Sequence, residues 1–287
     1  MDALVTVDWL AQHLGDPSLL VLDASMAPPG SAAALPPDSA AALPPDSVPG
    51  AVRFDIEGRM SRQEASDGLG PVGAHDMLAP ADFERELRAL GVRDGDRIVV
   101  LDAMGIFSSA RAWWMLRAAG IEAAVLDGGL PAWIEAGHPV ARVAASTGRA
   151  GDVTVAWDGS AFVDADTTAD ALADGGSVVL DARSAARFSG AEPDPRAEVR
   201  AGHMPGARSL PYATLAPGGR MLPPAALAEQ LHDAASDAPI IASCGSGVTA
   251  AVIALAATCA GRPVTVYDGS WSQWGHRESG RPVVGGA

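Results

Sequence analysis

The sequence predicts an α/β protein made of two similar domains, each a parallel sheet flanked by helices. Three observations carry this prediction. Strand-length apolar runs alternate with helix-length runs along the whole chain. The strand-like runs end on Asp-Ala or on a glycine-bearing loop, as buried parallel strands do. Landmarks of the first half also recur, in the same order, in the second.

Taken in order, Leu20-Val21-Leu22 closes on Asp23-Ala24-Ser25 and is answered by Val178-Val179-Leu180, which closes on Asp181-Ala182-Arg183. Val48-Pro49-Gly50-Ala51 is answered by Met204-Pro205-Gly206-Ala207. The run Arg97-Ile98-Val99-Val100-Leu101-Asp102 is answered by Pro239-Ile240-Ile241-Ala242-Ser243-Cys244. Asp127-Gly128-Gly129-Leu130-Pro131-Ala132-Trp133 is answered by Asp268-Gly269-Ser270-Trp271-Ser272-Gln273-Trp274. The interval from Asp102 to Asp127 is 25 residues and that from Cys244 to Asp268 is 24, so the register holds between halves. Helices are predicted over 80–90, 109–119, 223–232 and 248–260. The expected division is an N-terminal domain over 1–142, a linker over 143–159 rich in Ala, Ser, Thr, Gly and Asp, and a C-terminal domain over 160–287. The octapeptide SAAALPPD occurs twice in tandem, at 31–38 and 39–46, and reads as an expanded surface loop.

Composition narrows the function. The chain has 287 residues, is 48% hydrophobic and carries a net charge of -15, from 20 basic and 35 acidic residues. That balance argues against a nucleic-acid or anionic-membrane partner, each of which needs a basic face. Every basic residue is arginine, which removes Schiff-base and P-loop lysine chemistry. The two cysteines, Cys244 and Cys259, form no CxxC pair, and no His/Cys cluster has zinc spacing, so no metal is expected. The N-terminal MDALVTVDWL lacks a basic n-region and a long apolar h-region, and no apolar window is long enough to span a bilayer. The expectation is a soluble, cytoplasmic monomer with free thiols.

The stretch Ser243-Cys244-Gly245-Ser246-Gly247-Val248-Thr249-Ala250 is the strongest functional signal. It puts a thiol where a buried strand ends and a helix begins, the edge at which α/β folds bind ligands. Gly245 and Gly247 permit positive φ, so successive amides can turn toward one point beside a helix N-terminus and favour a thiolate. Cysteine phosphatases with a comparable loop place an arginine six positions after the cysteine; here that position is Ala250, so phosphoryl transfer is not expected. Cys259, inside the apolar run that follows, reads as a core cysteine.

At this point the motifs resemble a known family. CGSGVT is similar to the active-site loop of the 3-mercaptopyruvate sulfurtransferases of the rhodanese superfamily. Gly202-His203-Met204-Pro205-Gly206-Ala207, Arg111-Ala112-Trp113-Trp114-Met115-Leu116 and Tyr267-Asp268-Gly269-Ser270-Trp271 extend the resemblance over nearly the whole chain. It implies tandem rhodanese domains with a catalytic C-terminal copy, in which Cys244 takes sulfur from 3-mercaptopyruvate, releases pyruvate and passes the sulfur to a thiol acceptor such as thioredoxin, or to cyanide, without a cofactor. It implies that backbone amides from Gly245 through Gly247 and Val248 to Thr249 stabilise anionic sulfur, and that Arg187 and Arg196 bind the carboxylate and carbonyl of the donor. It further implies a proton relay of Ser246, His75 and Glu57. The family usually reads His-Met-Leu where this chain reads His75-Asp76-Met77-Leu78, and the span from Glu57 to His75 is longer than usual. Thiosulfate-type rhodaneses carry charged residues after the cysteine, where Gly245 and Ser246 stand here; thiosulfate transfer is one alternative, and a non-catalytic persulfide carrier is the other. His203 is expected to brace a loop, and Trp271 and Trp274 to pack in the core.

Overall fold

The computed structural model describes residues 1–26, 46–62 and 73–285. Most of the SAAALPPD repeat lies outside them. The chain forms two compact units. Unit 1 comprises Met1–Ser61, Met77–Gly159 and Gly218–Met221; unit 2 comprises Arg62–Asp76, Ser160–Pro217 and Leu222–Ala287. The stretch 143–159 thus groups with unit 1, and 62–76 groups with unit 2 despite its place in the first half.

Unit 1 begins with β1 (Leu4–Val5) and α1 (Val7–His13), whose cap Thr6 accepts a hydrogen bond from the Trp9 amide at 3.1 Å. Next come β2 (Leu19–Asp23), β3 (Asp46–Ser47) and β4 (Val52–Arg53). Helix α2 (Pro80–Leu90) starts on a proline and buries Phe83, Leu87 and Leu90, one stripe of a 3.6-residue period. It ends at Gly91, whose φ of 90° lets its amide turn back to the carbonyls of Leu87 and Arg88. Then follow β5 (Arg97–Leu101), α3 (Ser109–Ala118), β6 (Ala123–Leu126), α4 (Gly129–Glu135) and β7 (Ala141–Arg142). The sheet order is β1-β6-β5-β2-β4, and all its pairs are parallel.

Unit 2 repeats this plan with β8 (Phe162–Val163), α5 (Ala165–Asp174), β9 (Val178–Asp181), α6 (Ala185–Ser189), β10 (Arg208–Ser209) and α7 (Tyr212–Leu215). It continues through α8 (Pro224–Ala235), β11 (Ile240–Ser243), α9 (Ala250–Cys259), β12 (Val264–Tyr267) and α10 (Ser270–Trp274). Its sheet, β10-β9-β11-β12-β8, is also fully parallel and is the order of unit 1 read from the opposite edge. The internal repeat is therefore a repeat of topology. All four residues of β11 are buried, as in a sheet covered on both faces, and Ala250 to Ala257 of α9 are buried all round. Trp271 and Trp274 pack in this core with Val179, Ile241 and Tyr267. Cys259 differs from expectation. It is the last residue of α9 and only half buried, because the helix is leaving the core there.

Candidate active site

Strands β9 and β11 are neighbours, but the chain leaves β9 toward β10 on one side and β11 toward β12 on the other. Such a reversal opens a crevice at the carboxyl ends of the two strands. Cys244 stands there, directly after β11, with 1% of its surface exposed. Across the register Ser243 lies opposite Asp181, and the Ala182 amide donates to the Ser243 carbonyl at 2.8 Å.

The segment after β12 fixes the root of the cysteine loop. The Cys244 amide donates to Ser270 Oγ at 3.2 Å, and Ser270 Oγ donates to the Tyr267 carbonyl at 2.8 Å. The amides of Trp271 and Ser272 donate to the carbonyls of Cys244 and Gly245 at 3.0 and 2.7 Å. Ser270 has φ +48°, a left-handed conformation uncommon for a residue with a side chain. Its buried hydroxyl spans two backbone groups that would otherwise lack this bridge.

Beyond that root, the amides of residues 245–249 donate to no other group among the described residues. Thr249 caps α9 without a side-chain hydrogen bond, so the helix N-terminus also stays open. Unit 1 resolves the same loop differently. Asp102 takes the place of Cys244, 1% exposed, and its carboxylate accepts from the amides of Met104 (2.7 Å), Phe107 (2.9 Å) and Ser109 (2.8 Å). One loop is filled by its own carboxyl group; the other leaves its amides unspent after a thiol.

The two glycines act differently. Gly247 has φ +79°, which a side chain resists. Gly245 is not in the left-handed region; what it supplies is room. A Cβ there would stand 3.2 Å from Arg196 Nη2 and 3.3 Å from Arg187 Nη2, and Arg196 Nη2 also donates to the Gly245 carbonyl at 3.4 Å. The structure thus brings Arg187 and Arg196 over the residue that follows Cys244. Arg187 lies on α6, whose cap Ser184 accepts from the Arg187 amide. Asp194 holds both arginines: its Oδ2 accepts from Arg187 Nη2 at 2.6 Å and its Oδ1 from Arg196 Nε at 3.0 Å. Burial disfavours the Asp194 charge, but Arg196 and then Arg187 outweigh it and hold the carboxyl below its usual range.

Of the other predicted residues, Val248 is buried in the loop, and Ser246 and Thr249 are partly exposed. His75 is half buried and belongs to unit 2, in the segment 62–76. Glu57 is exposed on a turn of unit 1. Residues 73–76 reach the segment that braces the cysteine loop: the Ala74 amide donates to Ser272 Oγ at 3.2 Å. Asp76 secures it, accepting from the Gly73 amide at 2.8 Å and from Arg62 Nη2 at 2.9 Å. Burial first, and the nearby Asp268 second, push the Asp76 carboxyl above its usual range against those donors.

Sequence reasoning passed over Asp194, Arg183 and Ser270. Arg183 forms a two-pronged pair with Asp181, at 3.0 and 2.7 Å, and its guanidinium lies 4.6 Å from the Trp271 ring centre. The local signal was the pair of short spacings, Asp181 to Arg183 and Asp194 to Arg196, each with an Asp two residues ahead of an Arg. His203 does brace a loop, with Nδ1 donating to the Phe188 carbonyl at 2.8 Å and its ring stacked on Phe188.

The description "Rhodanese-like domain" matches this chain twice, over residues 6–136 and 164–277. The chain belongs to the rhodanese family. This rhodanese is 37% identical over 277 residues to the 3-mercaptopyruvate sulfurtransferase of Escherichia coli (strain K12), covering 95% of each chain. It is 32% identical over 314 residues to the mitochondrial thiosulfate/3-mercaptopyruvate sulfurtransferase 1 of Arabidopsis thaliana, covering 95% of this chain and 76% of that one. Among solved structures it is similar to a 3-mercaptopyruvate sulfotransferase from Escherichia coli, with a TM-score of 0.80 and 35% identity, over 94% of this chain and 99% of that one. The rhodanese is thus a sulfurtransferase-class enzyme. Among its described residues no helix is long and apolar enough to cross a membrane, and no group of three or more His, Cys, Asp or Glu residues is placed to hold a metal ion.

Proposed function

We propose that this rhodanese moves sulfur from 3-mercaptopyruvate to a thiol, or to cyanide, through a persulfide on Cys244. The observation that carries the reading is the run of amides at 245–249, unspent among the described residues and directly after a buried thiol, in a loop whose unit 1 counterpart is filled by the Asp102 carboxyl group. Amides that donate to a carboxyl group in one copy would, in the other, be available to donate to anionic sulfur.

In the first step the Cys244 thiolate attacks the donor sulfur, forming an S–S bond. The C–S bond breaks, and its electron pair stays on carbon as the enolate of pyruvate, which a proton then quenches. In the second step an acceptor thiolate attacks the outer sulfur, restores the Cys244 thiolate and leaves as a persulfide; cyanide would leave as thiocyanate. Both bonds are made by sulfur or carbon nucleophiles, so the chemistry calls for no metal or organic cofactor. Arg187 and Arg196 would bind the donor's carboxylate and ketone with directed N–H groups. Ser246, half exposed in the loop, would deliver the proton, and His75 and Glu57 are the candidates for the rest of the relay. A small dithiol protein of the thioredoxin kind suits the acceptor role. The free thiols Cys244 and Cys259 suit a reducing cytoplasm and a monomer.

The test compares kcat/KM for 3-mercaptopyruvate and thiosulfate with one acceptor. The reading expects a preference for 3-mercaptopyruvate; a preference for thiosulfate makes the protein a thiosulfate sulfurtransferase, and turnover of neither makes it a carrier. Gly245→Ala gives a second result. Its methyl meets both guanidiniums, so KM for 3-mercaptopyruvate should rise about tenfold with kcat changed less. An unchanged KM would remove the arginine pair from donor binding.

A further inference from the structure

Two guanidiniums lie over Gly245, but they do not present two net charges. The Asp194 side chain, 1% exposed, is wedged between them, and Arg187 and Arg196 keep 16% and 25% of their side-chain surface. Asp194 Oδ1 also accepts from the Arg196 backbone amide at 3.1 Å, which fixes the carboxylate in its own turn. Arg183, which precedes them in the chain, is spent on Asp181 and the Gly202 carbonyl. Two arginines less one aspartate leave a net charge of +1. Part of their donor capacity is still open: Arg187 Nε is buried with no hydrogen-bond partner among the described residues.

We infer that Asp194 is a specificity-determining residue, cancelling one of the two guanidinium charges so that the site matches a monoanionic donor, such as an α-keto carboxylate, better than a dianion. The inference rests on the proposal that the arginine pair faces the donor. It assigns the choice of donor to charge as well as to shape. A carboxylate bound by this pair meets one balancing charge, whereas a dianion brings a second charge into a partly buried place that the pair does not balance. Lowering of the Asp194 carboxyl's pKa keeps the charge in place across the neutral range.

The experiment uses the full chain and reads binding without turnover. Cys244 is alkylated with neutral iodoacetamide in the presence of graded sulfate or pyruvate, and peptide masses report protection at Cys244. In the wild type pyruvate should protect at lower concentration than sulfate. Asp194→Asn keeps the shape and removes the charge, so sulfate should gain about tenfold on pyruvate. Asp194→Glu keeps the charge and should hold the wild-type ratio even if both anions bind less tightly. If Asp194→Asn weakens both anions equally, Asp194 is a brace and the inference fails. If the Asn variant does not fold, Arg187→Gln carries the test in reverse: sulfate should lose more than pyruvate, and equal losses overturn the inference. A wild type that fails to turn over 3-mercaptopyruvate, while the Asn variant still shifts toward sulfate, sinks the proposed donor and leaves the charge rule standing. A wild type protected by neither anion sinks the charge rule itself.

Discussion

Cys244→Ser leaves the fold intact and lowers sulfur transfer on the order of 10⁴-fold or more. The hydroxyl is near the thiol in size, so the buried position after β11 still packs, and the Ser270 brace on the residue 244 amide does not involve the side chain. The hydroxyl does not ionise near neutral pH, and it cannot hold sulfane sulfur as a persulfide. The melting temperature should stay near that of the wild type. Cys259→Ser, at the half-buried end of α9, should keep most of the activity. Turnover surviving in Cys244→Ser, or lost in Cys259→Ser alone, would put the chemistry elsewhere.

The second large effect is on stability and lies in unit 1. Asp102→Ala strips the acceptor at once from two buried amides, those of Phe107 and Ser109, and from the part-buried amide of Met104. An unsatisfied buried donor costs about 1–3 kcal/mol; with partial relaxation the loss is about 3 kcal/mol in all. For a unit of this size that lowers the melting temperature by roughly 6–12 °C. Burial pushes the Asp102 carboxyl above its usual range, although the three amides pull the other way. The folded state therefore binds the proton more tightly than the unfolded chain. This contribution is complete below the usual carboxylate value of 3.8 and is lost as pH rises through the folded value. The gap in stability between wild type and Asp102→Asn, which does not titrate, should thus shrink as pH rises. An Asp102→Ala protein that melts with the wild type would show that the loop does not depend on its internal carboxylate.

The parts of this protein written locally were legible in the sequence. Buried parallel strands appear as short apolar runs, and the repeat of their closing residues pointed to two units of one topology. The Cys244 loop was legible because its chemistry is local: a thiol beside glycines, between a buried strand and an apolar helix, stands next to amides that are unspent among the described residues. Less legible was what long-range packing decides. Gly245 looked like a conformational glycine, but its role is to make room for Arg196, 49 residues away, and for Arg187. The segment 62–76 sits in the first half of the chain and groups with unit 2, and no local pattern reveals on which body a connecting stretch packs. Asp194 stood in plain view between two prolines, and only its placement between two guanidiniums gives it a role. Asp102 read as a placeholder for the cysteine, but it occupies the anion site of its own loop.

The central claim is that Cys244 carries sulfur covalently. Its most direct test is to mix the reduced protein with 3-mercaptopyruvate and no acceptor, then measure the mass of the Cys244 peptide and the pyruvate released. The account predicts one added sulfur atom on Cys244, pyruvate in equal amount, and loss of that sulfur when a thiol or cyanide follows. Pyruvate formed while Cys244 stays unmodified, or sulfur found on Cys259 instead, would contradict it.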